Sequence, residues 1–253
     1  MSGVLDDPAL VFVTSFFTLW LATRVGASSI RRSRSLESDI REHFATILAA
    51  TLTLSALIIG FTFSMAITRY DQRKDYEEAE ANAIGTEYAR ADVLPAPDAA
   101  TLRSLLREYL DQRVLFYTVR DRRQRVQIDQ RTAQLQARLW KTAVSTAAPN
   151  PSPVGALVVS GMNDVLNSQG YTQAAWWNRI PRAAWLLMVS IAITGSVLLG
   201  YGAQDRRAET LLLAVVPFVV ALSFLLIADI DSPLGGIVRV YPQNLASLAA
   251  SMQ

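Results

Sequence analysis

The sequence contains no cysteine, and this excludes disulfide bonds, zinc–thiolate sites and thiol catalysis. It contains one histidine, His43, and this excludes a histidine-rich metal centre. A phosphate-binding loop, a GxGxxG turn and a nucleophile elbow are also missing, so we expect neither an enzyme nor a bound cofactor. The formal net charge of +2 is too small to favour a nucleic-acid partner.

Apolar residues make up 51% of the chain, and they are concentrated in four blocks that carry no charge. The blocks are residues 9–23, 44–68, 183–203 and 210–228. A charged side chain at the centre of a membrane helix costs about 2.5–3.5 kcal/mol on insertion scales. The sequence therefore predicts an all-α, multi-pass integral membrane protein of the cell (inner) membrane, with four transmembrane helices in the lipid bilayer.

The first two blocks differ in length. Residues 44–68 are 25 uncharged residues, about 37 Å long as a helix, which is enough to cross a bilayer with some tilt. Residues 9–23 number only 15, fewer than the roughly 20 that a full span needs. Either residues 25–30 extend this helix while Arg24 reaches the interface, or the helix crosses only part of the bilayer. We favour a full span.

The pattern divides the chain into segments. Residues 1–68 hold the first helix pair, 69–182 a large extramembrane helical region, 183–228 the second pair and 229–253 an extramembrane tail. Helix-forming residues continue beyond Arg69 to Pro95, so the second membrane helix is expected to extend well past the membrane. We expect Gly170 to separate two helices between 154 and 181, and Pro217 to kink the fourth span rather than break it.

Arginines are concentrated in the two short loops that join the paired spans. They are Arg24, Arg31, Arg32, Arg34, Arg41, Arg206 and Arg207. Positive charge in short loops predicts that these loops are cytoplasmic. Residues 69–182 then lie outside the cytoplasm, provided that the first block crosses the bilayer completely.

Two acidic groups have a structural and a functional interpretation. Glu77, Glu78 and Glu80 lie close to arginines and a lysine, and mixed charge of this kind favours a solvated, salt-bridged helix face. Asp229 and Asp231, at the end of the fourth span, are weak candidates for cation ligands, since hard cations need several oxygen atoms. Capping of a helix or turn is the favoured interpretation of both aspartates, so no metal site is expected.

One stripe of the second block is rich in small and hydroxylated residues, because steps of three and four along a helix share a face. It consists of Thr46, Ala49, Ala50, Thr53, Leu57, Phe61, Ser64 and Thr68. The pattern alone favours helix–helix packing, for which membrane proteins use such residues. The other interpretation is a pore wall, in which hydroxyls contact a passing ion and Leu57 with Phe61 forms an apolar constriction.

Two short motifs resemble those of bestrophins. Residues 60–70 are similar to the second-helix pattern G-F-x-x-S-x-A-x-x-R-aromatic; the matching residues are Gly60, Phe61, Ser64, Ala66, Arg69 and Tyr70. Residues 231–235 resemble the bestrophin turn that contains P-F-G, with Leu234 in place of the phenylalanine. The order of helices and loops is similar to that of a bacterial bestrophin-like membrane family over nearly the whole chain.

The resemblance implies a pentameric channel of a kind that mostly passes anions, with some bacterial members passing cations. Bestrophins line their neck with residues four positions apart on the second helix, which places Thr53, Leu57 and Phe61 there. Thr53 departs from the apolar residue expected at its position. The resemblance also implies that residues 69–182 are cytoplasmic, contrary to the arginine count, so the orientation stays open.

The leading hypothesis is therefore a homo-oligomeric channel for a small ion, expected to be an anion, with the second transmembrane helices around the pore. Basic side chains of a vestibule would raise the local anion concentration. The candidates are Arg69, Arg73, Lys74, Arg120 and Arg123. Taken one by one, most of these arginines are typical of an ordinary helical surface. The alternative is a non-conducting membrane scaffold or sensor whose extramembrane helices bind a ligand or partner.

Overall fold

The computed structural model describes residues 7–29, 38–149, 151–203 and 209–252. Their helices are α1 (Pro8–Ser29), α2 (Ser38–Arg90), a 3-10 turn (Ala91–Val93), α3 (Ala96–Thr118), α4 (Arg122–Ala147), α5 (Pro153–Trp177), α6 (Arg182–Gly202), α7 (Glu209–Asp231) and α8 (Gln243–Ser251). No strand occurs in these ranges. Of the loop arginines, Arg31, Arg32, Arg34, Arg206 and Arg207 lie outside the described residues.

Four helical segments are long and apolar enough to cross a membrane, which confirms the predicted fold class. The first of them shows that the short apolar block is part of a longer helix. Helix α1 has 22 residues and continues past Arg24 to Ser29, a length of about 33 Å. The Arg24 guanidinium lies 4.9 Å from the centre of the Trp20 ring. The helix therefore continues through Arg24, and a complete crossing of the bilayer by α1 stays a prediction.

The chain divides into two compact units, and unit 1 comprises residues 1–70 and 179–239. Helix α1 packs against both α6 and α7. Gly26 and Gly200 let two backbones touch: a Cβ on Gly26 would overlap the Val197 carbonyl oxygen, and one on Gly200 would overlap that of Thr23. Small residues at such crossings are typical of membrane helices, which associate through close van der Waals packing.

The apolar core of unit 1 lies among these helices. Its fully buried members include Leu19, Met188, Phe224, Ile227 and Ala228. Trp185 packs edge-on against Phe224 with ring centres 6.0 Å apart. Helix α7 continues through Pro217 without a break, as the sequence predicted.

Unit 2 comprises residues 71–178 and 240–253. It contains the second part of α2 together with the whole of α3, α4, α5 and α8. Asp121 caps α4 by accepting a hydrogen bond from the Gln124 amide at 2.8 Å. The core includes Leu102, Leu106, Leu110, Leu135, Leu139, Val158, Met162 and Val165.

Helix α5 corrects one expectation, because it runs unbroken from Pro153 to Trp177. Gly170 therefore does not separate two helices. Glycine costs a helix only about 1 kcal/mol relative to alanine. The buried face made by Val165, Ser168, Thr172 and Trp176 continues on both sides of it, and its packing outweighs that cost.

Candidate functional site

The membrane part of α2 is packed against its own chain along one narrow face. This inner face consists of Ser55, Thr62 and Ala66, with exposed fractions of 6%, 4% and 0%. The Thr62 hydroxyl donates to the Ile58 carbonyl at 2.8 Å, so it needs no partner on another helix. Ile58, Ile59 and Tyr70 are partly buried beside this face. The rest of the apolar helix has little contact within the chain.

The opposite side of α2 carries the residues predicted to line a pore. This candidate pore face consists of Thr53, Leu57, Phe61, Ser64 and Thr68, and all of them are exposed in the single chain. Because an α-helix turns by about 100° per residue, these five side chains point away from the inner face. Leu57 is 51% and Phe61 61% exposed, values similar to those of Phe17 (59%) and Leu186 (70%) on other apolar helices. They are therefore available to lipid, to another copy of the chain or to a pore, and they do not pack against helices of their own chain.

The basic residues proposed for a vestibule fall into different environments. Lys74, Arg120 and Arg123 are exposed, whereas Arg69 is partly buried. Arg73 is only 3% exposed, which fits a structural role better than contact with a passing ion.

The two aspartates in the last turn of α7 hold the following turn together. The Asp229 carboxylate accepts hydrogen bonds from the backbone amides of Ile237 and Val238 at 2.7 and 2.8 Å. The Asp231 carboxylate accepts from the Ile180 amide at 3.1 Å and from Arg179 Nε at 3.2 Å. Both carboxylates are thus bound to protein donors, which supports the capping interpretation over cation binding. No group of three or more acidic, histidine or cysteine side chains that could hold a metal occurs in the described part of the chain.

The acidic cluster on the polar part of α2 does not form the solvated helix face that the sequence predicted. Glu77 and Glu80 are buried, with exposed fractions of 1% and 0%, and Glu87 is likewise 0% exposed. Only Glu78 of the predicted three is exposed. These carboxylates lie at helical spacing with Ile84, so they belong to the packed side of the helix.

Glu80 forms a buried ion pair with Arg113 of α3. Arg113 Nε donates to Glu80 Oε1, and Nη2 donates to Oε2 at 3.3 Å. The Thr172 hydroxyl of α5 also donates to Glu80 Oε2, at 3.1 Å. Although burial opposes the charge, Glu80 raises the pKa of Arg113 above its usual value. Burial, followed by the charge of Glu80, raises the pKa of Tyr109 well above its usual value, so this phenol stays neutral.

Glu77 and Glu87 have contrasting surroundings. The Glu77 carboxylate accepts from the Leu245 amide at 2.9 Å and from Asn244 Nδ2 at 2.7 Å, and so caps the start of α8. Neither oxygen of Glu87 has a hydrogen-bond partner, and its nearest cation is Arg90 Nη1 at 3.7 Å. Burial raises the pKa of Glu87 from 4.5 to about 7.

The fold resembles that of solved membrane proteins. A crystal structure of a variant of a bacterial bestrophin homologue from Klebsiella pneumoniae superposes with a TM-score of 0.66 at 13% identity, covering 95% of this chain and 93% of that one. Another structure of a bacterial bestrophin homologue from the same organism gives a TM-score of 0.64 at 14% identity, covering 95% of each chain. The model of the bestrophin-like domain matches residues 9–245. No curated protein sequence matches this chain.

The helical fold and its apolar helices define an all-helical membrane protein. Because the domain model covers most of the chain, the chain belongs to the bestrophin-like family. The family that residues 60–70 and 231–235 resemble is thereby confirmed.

Proposed function

We propose that this chain forms a homo-oligomeric, anion-conducting channel in the cell (inner) membrane, with α2 lining the pore and an apolar neck at Leu57 and Phe61. Membership of the bestrophin-like family supports conduction, and the resemblance to bestrophins implies five subunits. The observation that carries the proposal is the exposure of the candidate pore face, where Phe61 is 61% exposed in the single chain.

The residues of this face suit a pore wall. Thr53 lies one helical turn before Leu57, and Ser64 and Thr68 follow Phe61. Hydroxyls offer polar contacts to a partly dehydrated ion, while rings of Leu57 and Phe61 form an apolar constriction that gates by dewetting. The widest apolar side chain, Phe61, then sets the narrowest point.

Two features favour an anion over a cation. The edge of a phenylalanine ring carries partial positive charge, so a ring of Phe61 edges favours a passing anion. Exposed Arg120 and Arg123 add net positive charge outside the predicted span of residues 44–68 and raise the local concentration of anions, whereas Lys74 lies among the exposed acids Asp71, Asp75 and Glu78.

The experiment compares Phe61→Ala with Phe63→Ala in planar lipid bilayers. Removing the Phe61 ring widens the neck, so we expect the single-channel conductance to rise several-fold. Phe63 is a matched control, because it is exposed at 39% on the same helix but faces a different direction. Equal conductance of wild type and Phe61→Ala would contradict the proposed neck.

Selectivity and assembly need separate measurements. Under a KCl gradient, the sign of the reversal potential distinguishes chloride from potassium as the main charge carrier, and a potassium-selective value would contradict the anion assignment. Images of single purified particles give the subunit number and show whether a central opening exists. A dimer without an opening would contradict the channel and support the scaffold or sensor alternative.

A further inference from the structure

Unit 2 contains a buried aromatic cluster formed by Phe116 and Tyr117 of α3 and Trp176 of α5. The ring centres of Phe116 and Trp176 are 4.6 Å apart, and those of Tyr117 and Trp176 5.5 Å apart. All three side chains are less than 10% exposed. The cluster excludes water, so polar groups at its edge depend on partners that the fold or a ligand provides.

Two arginines contact this cluster. The Arg113 guanidinium carbon lies 4.4 Å from the centre of the Phe116 ring. That of Arg125, from α4, lies 4.9 Å from the centres of both Phe116 and Trp176. Arg113 is neutralised by Glu80, whereas Arg125 Nη1 has no hydrogen-bond partner among the described residues. The carboxylate that acts on the charge of Arg125 is that of Asp129, one turn further along α4. Because Asp129 is exposed and solvent screens its charge, it compensates the charge of Arg125 only in part.

Three N–H groups around these rings are shielded from solvent and have no acceptor. They are Arg113 Nη1, Arg125 Nη1 and Trp176 Nε1. A buried donor without a partner destabilises the folded state, so three around one cluster are costly unless something accepts their hydrogen bonds. Guanidinium and indole groups are donors only, so they cannot satisfy one another.

An anion would accept hydrogen bonds from these donors and complete the compensation of the Arg125 charge. The positive charge disfavours a metal cation, and a water molecule would accept hydrogen bonds without adding to the partial compensation that Asp129 provides. We propose that Arg113, Arg125 and Trp176 bind one small monovalent anion, of the size of a halide or nitrate. Burial lowers the pKa of Arg125, since the charged form lacks solvent, and an anion beside it would reverse this effect. The site does not depend on the channel proposal, because all its residues belong to unit 2.

The test measures the thermal unfolding midpoint of the full chain, purified in detergent, while sodium bromide replaces sodium gluconate at constant ionic strength. A bound anion stabilises the folded state by mass action, so the midpoint of the wild type is expected to rise with bromide. Arg125→Gln removes the positive charge of Arg125, and Trp176→Phe removes one donor while keeping an aromatic ring. Both variants are expected to lose most of the bromide-dependent rise.

Arg122→Gln is the matched control, because it removes the same charge from an exposed position of the same helix. It should keep the full bromide response. A wild type without any bromide response would overturn the proposal, and so would an unchanged response in both Arg125→Gln and Trp176→Phe. Because Trp176→Phe retains the ring packing, the test remains decisive if Arg125→Gln does not fold. In a bromide-soaked crystal, the anomalous peak is expected beside Arg125 Nη1 and Trp176 Nε1. Peaks found only at other positions would count against the site.

Discussion

The buried carboxylate of Glu87 predicts that the stability of this protein falls between acidic and neutral pH. The side chain is 0% exposed, and a Cβ on Gly161 of α5 would overlap its Oε2 atom, so the helix backbone lies directly against it. The charged groups that face it are Arg90 on its own helix and Asp164 on α5. Arg90 stabilises the carboxylate, whereas Asp164 repels it.

The magnitude follows from the pKa of Glu87. Burial raises this pKa from 4.5 to about 7, against the opposing effect of Arg90. The folded chain therefore binds a proton that the unfolded chain has released over this interval. The contribution to stability is complete below pH 4.5 and is lost as the pH rises through about 7. The full difference corresponds to about 3 kcal/mol as an upper value.

Glu87→Gln isolates this contribution, because the amide keeps the shape of the protonated acid and cannot ionise. In thermal unfolding of detergent-purified protein, we expect the variant to match the wild type near pH 5 and to exceed it near pH 8. For a chain of this size, about 3 kcal/mol corresponds to roughly 6–12 °C in the unfolding midpoint. Glu78→Gln is the control, since Glu78 is exposed on the same helix.

The result that would refute this reasoning is a pair of parallel pH profiles for the wild type and Glu87→Gln between pH 5 and 8. Such profiles would mean that the carboxylate keeps an ordinary pKa despite its burial. A lower midpoint of the variant at pH 8 would also contradict the prediction, because it would show that the ionised form is stabilised by Arg90 more than burial opposes it.

Two further predictions concern packing. Gly200→Ala places a methyl group against a backbone carbonyl of α1 that cannot move aside, so we expect thermal unfolding to show a free energy of unfolding lower by about 1–3 kcal/mol. Gly170→Ala is the control: open space surrounds Gly170, so this change should be neutral or slightly stabilising. Glu77→Gln weakens the cap that holds the Leu245 amide, so α8 should exchange its amide hydrogens faster and be cleaved sooner in limited proteolysis, whereas Glu78→Gln should leave both rates unchanged. Equal unfolding midpoints in the first pair, or equal exchange rates in the second, would contradict these assignments.

The membrane helices could be predicted from the sequence because their signal is a simple one. Long stretches without charge leave few alternatives to a membrane span, and no proline follows Thr68 before Pro95. This is why the continuation of α2 to Arg90 was predictable. The length of α1 was ambiguous, because Arg24 interrupts the apolar run and only the structure shows that the helix continues beyond it.

The buried polar groups of unit 2 could not be predicted in the same way. Glu77, Glu80 and Glu87 lie on the packed face, yet a carboxylate at helical spacing is more often solvated. What reverses the expectation is a partner distant in sequence, such as Arg113 for Glu80. A pattern confined to one helix carries no information about that partner. The regular spacing of these acids with Ile84 was the only signal of a buried face, and it was missed because charged residues are usually assigned to an exposed face.

The choice between packing and pore lining on α2 depends on which face the chain itself uses. Small and hydroxylated side chains do mediate its packing, but they are Ser55, Thr62 and Ala66 rather than the stripe singled out from the sequence. The sequence could not decide this, because both faces offer hydroxyls and small residues at helical spacing. The stripe that contains Leu57 and Phe61 remains exposed in the single chain, and the pore assignment stays a prediction.

The sides of α2 add an argument for several copies around an axis. Exposed apolar residues flank the candidate pore face on both sides: Leu54 and Met65, at 47% and 39%, on one, and Phe63 and Ile67, at 39% and 36%, on the other. A helix in a ring of identical helices needs one face toward its own subunit, two flanks for its neighbours and one face toward the axis. Heterologous contacts of this kind close into a ring when the rotation between subunits is a whole fraction of a turn. Helix α2 has a surface for each of these contacts, whereas a helix that served only to anchor a single chain in lipid would need no hydroxyls between its two apolar flanks.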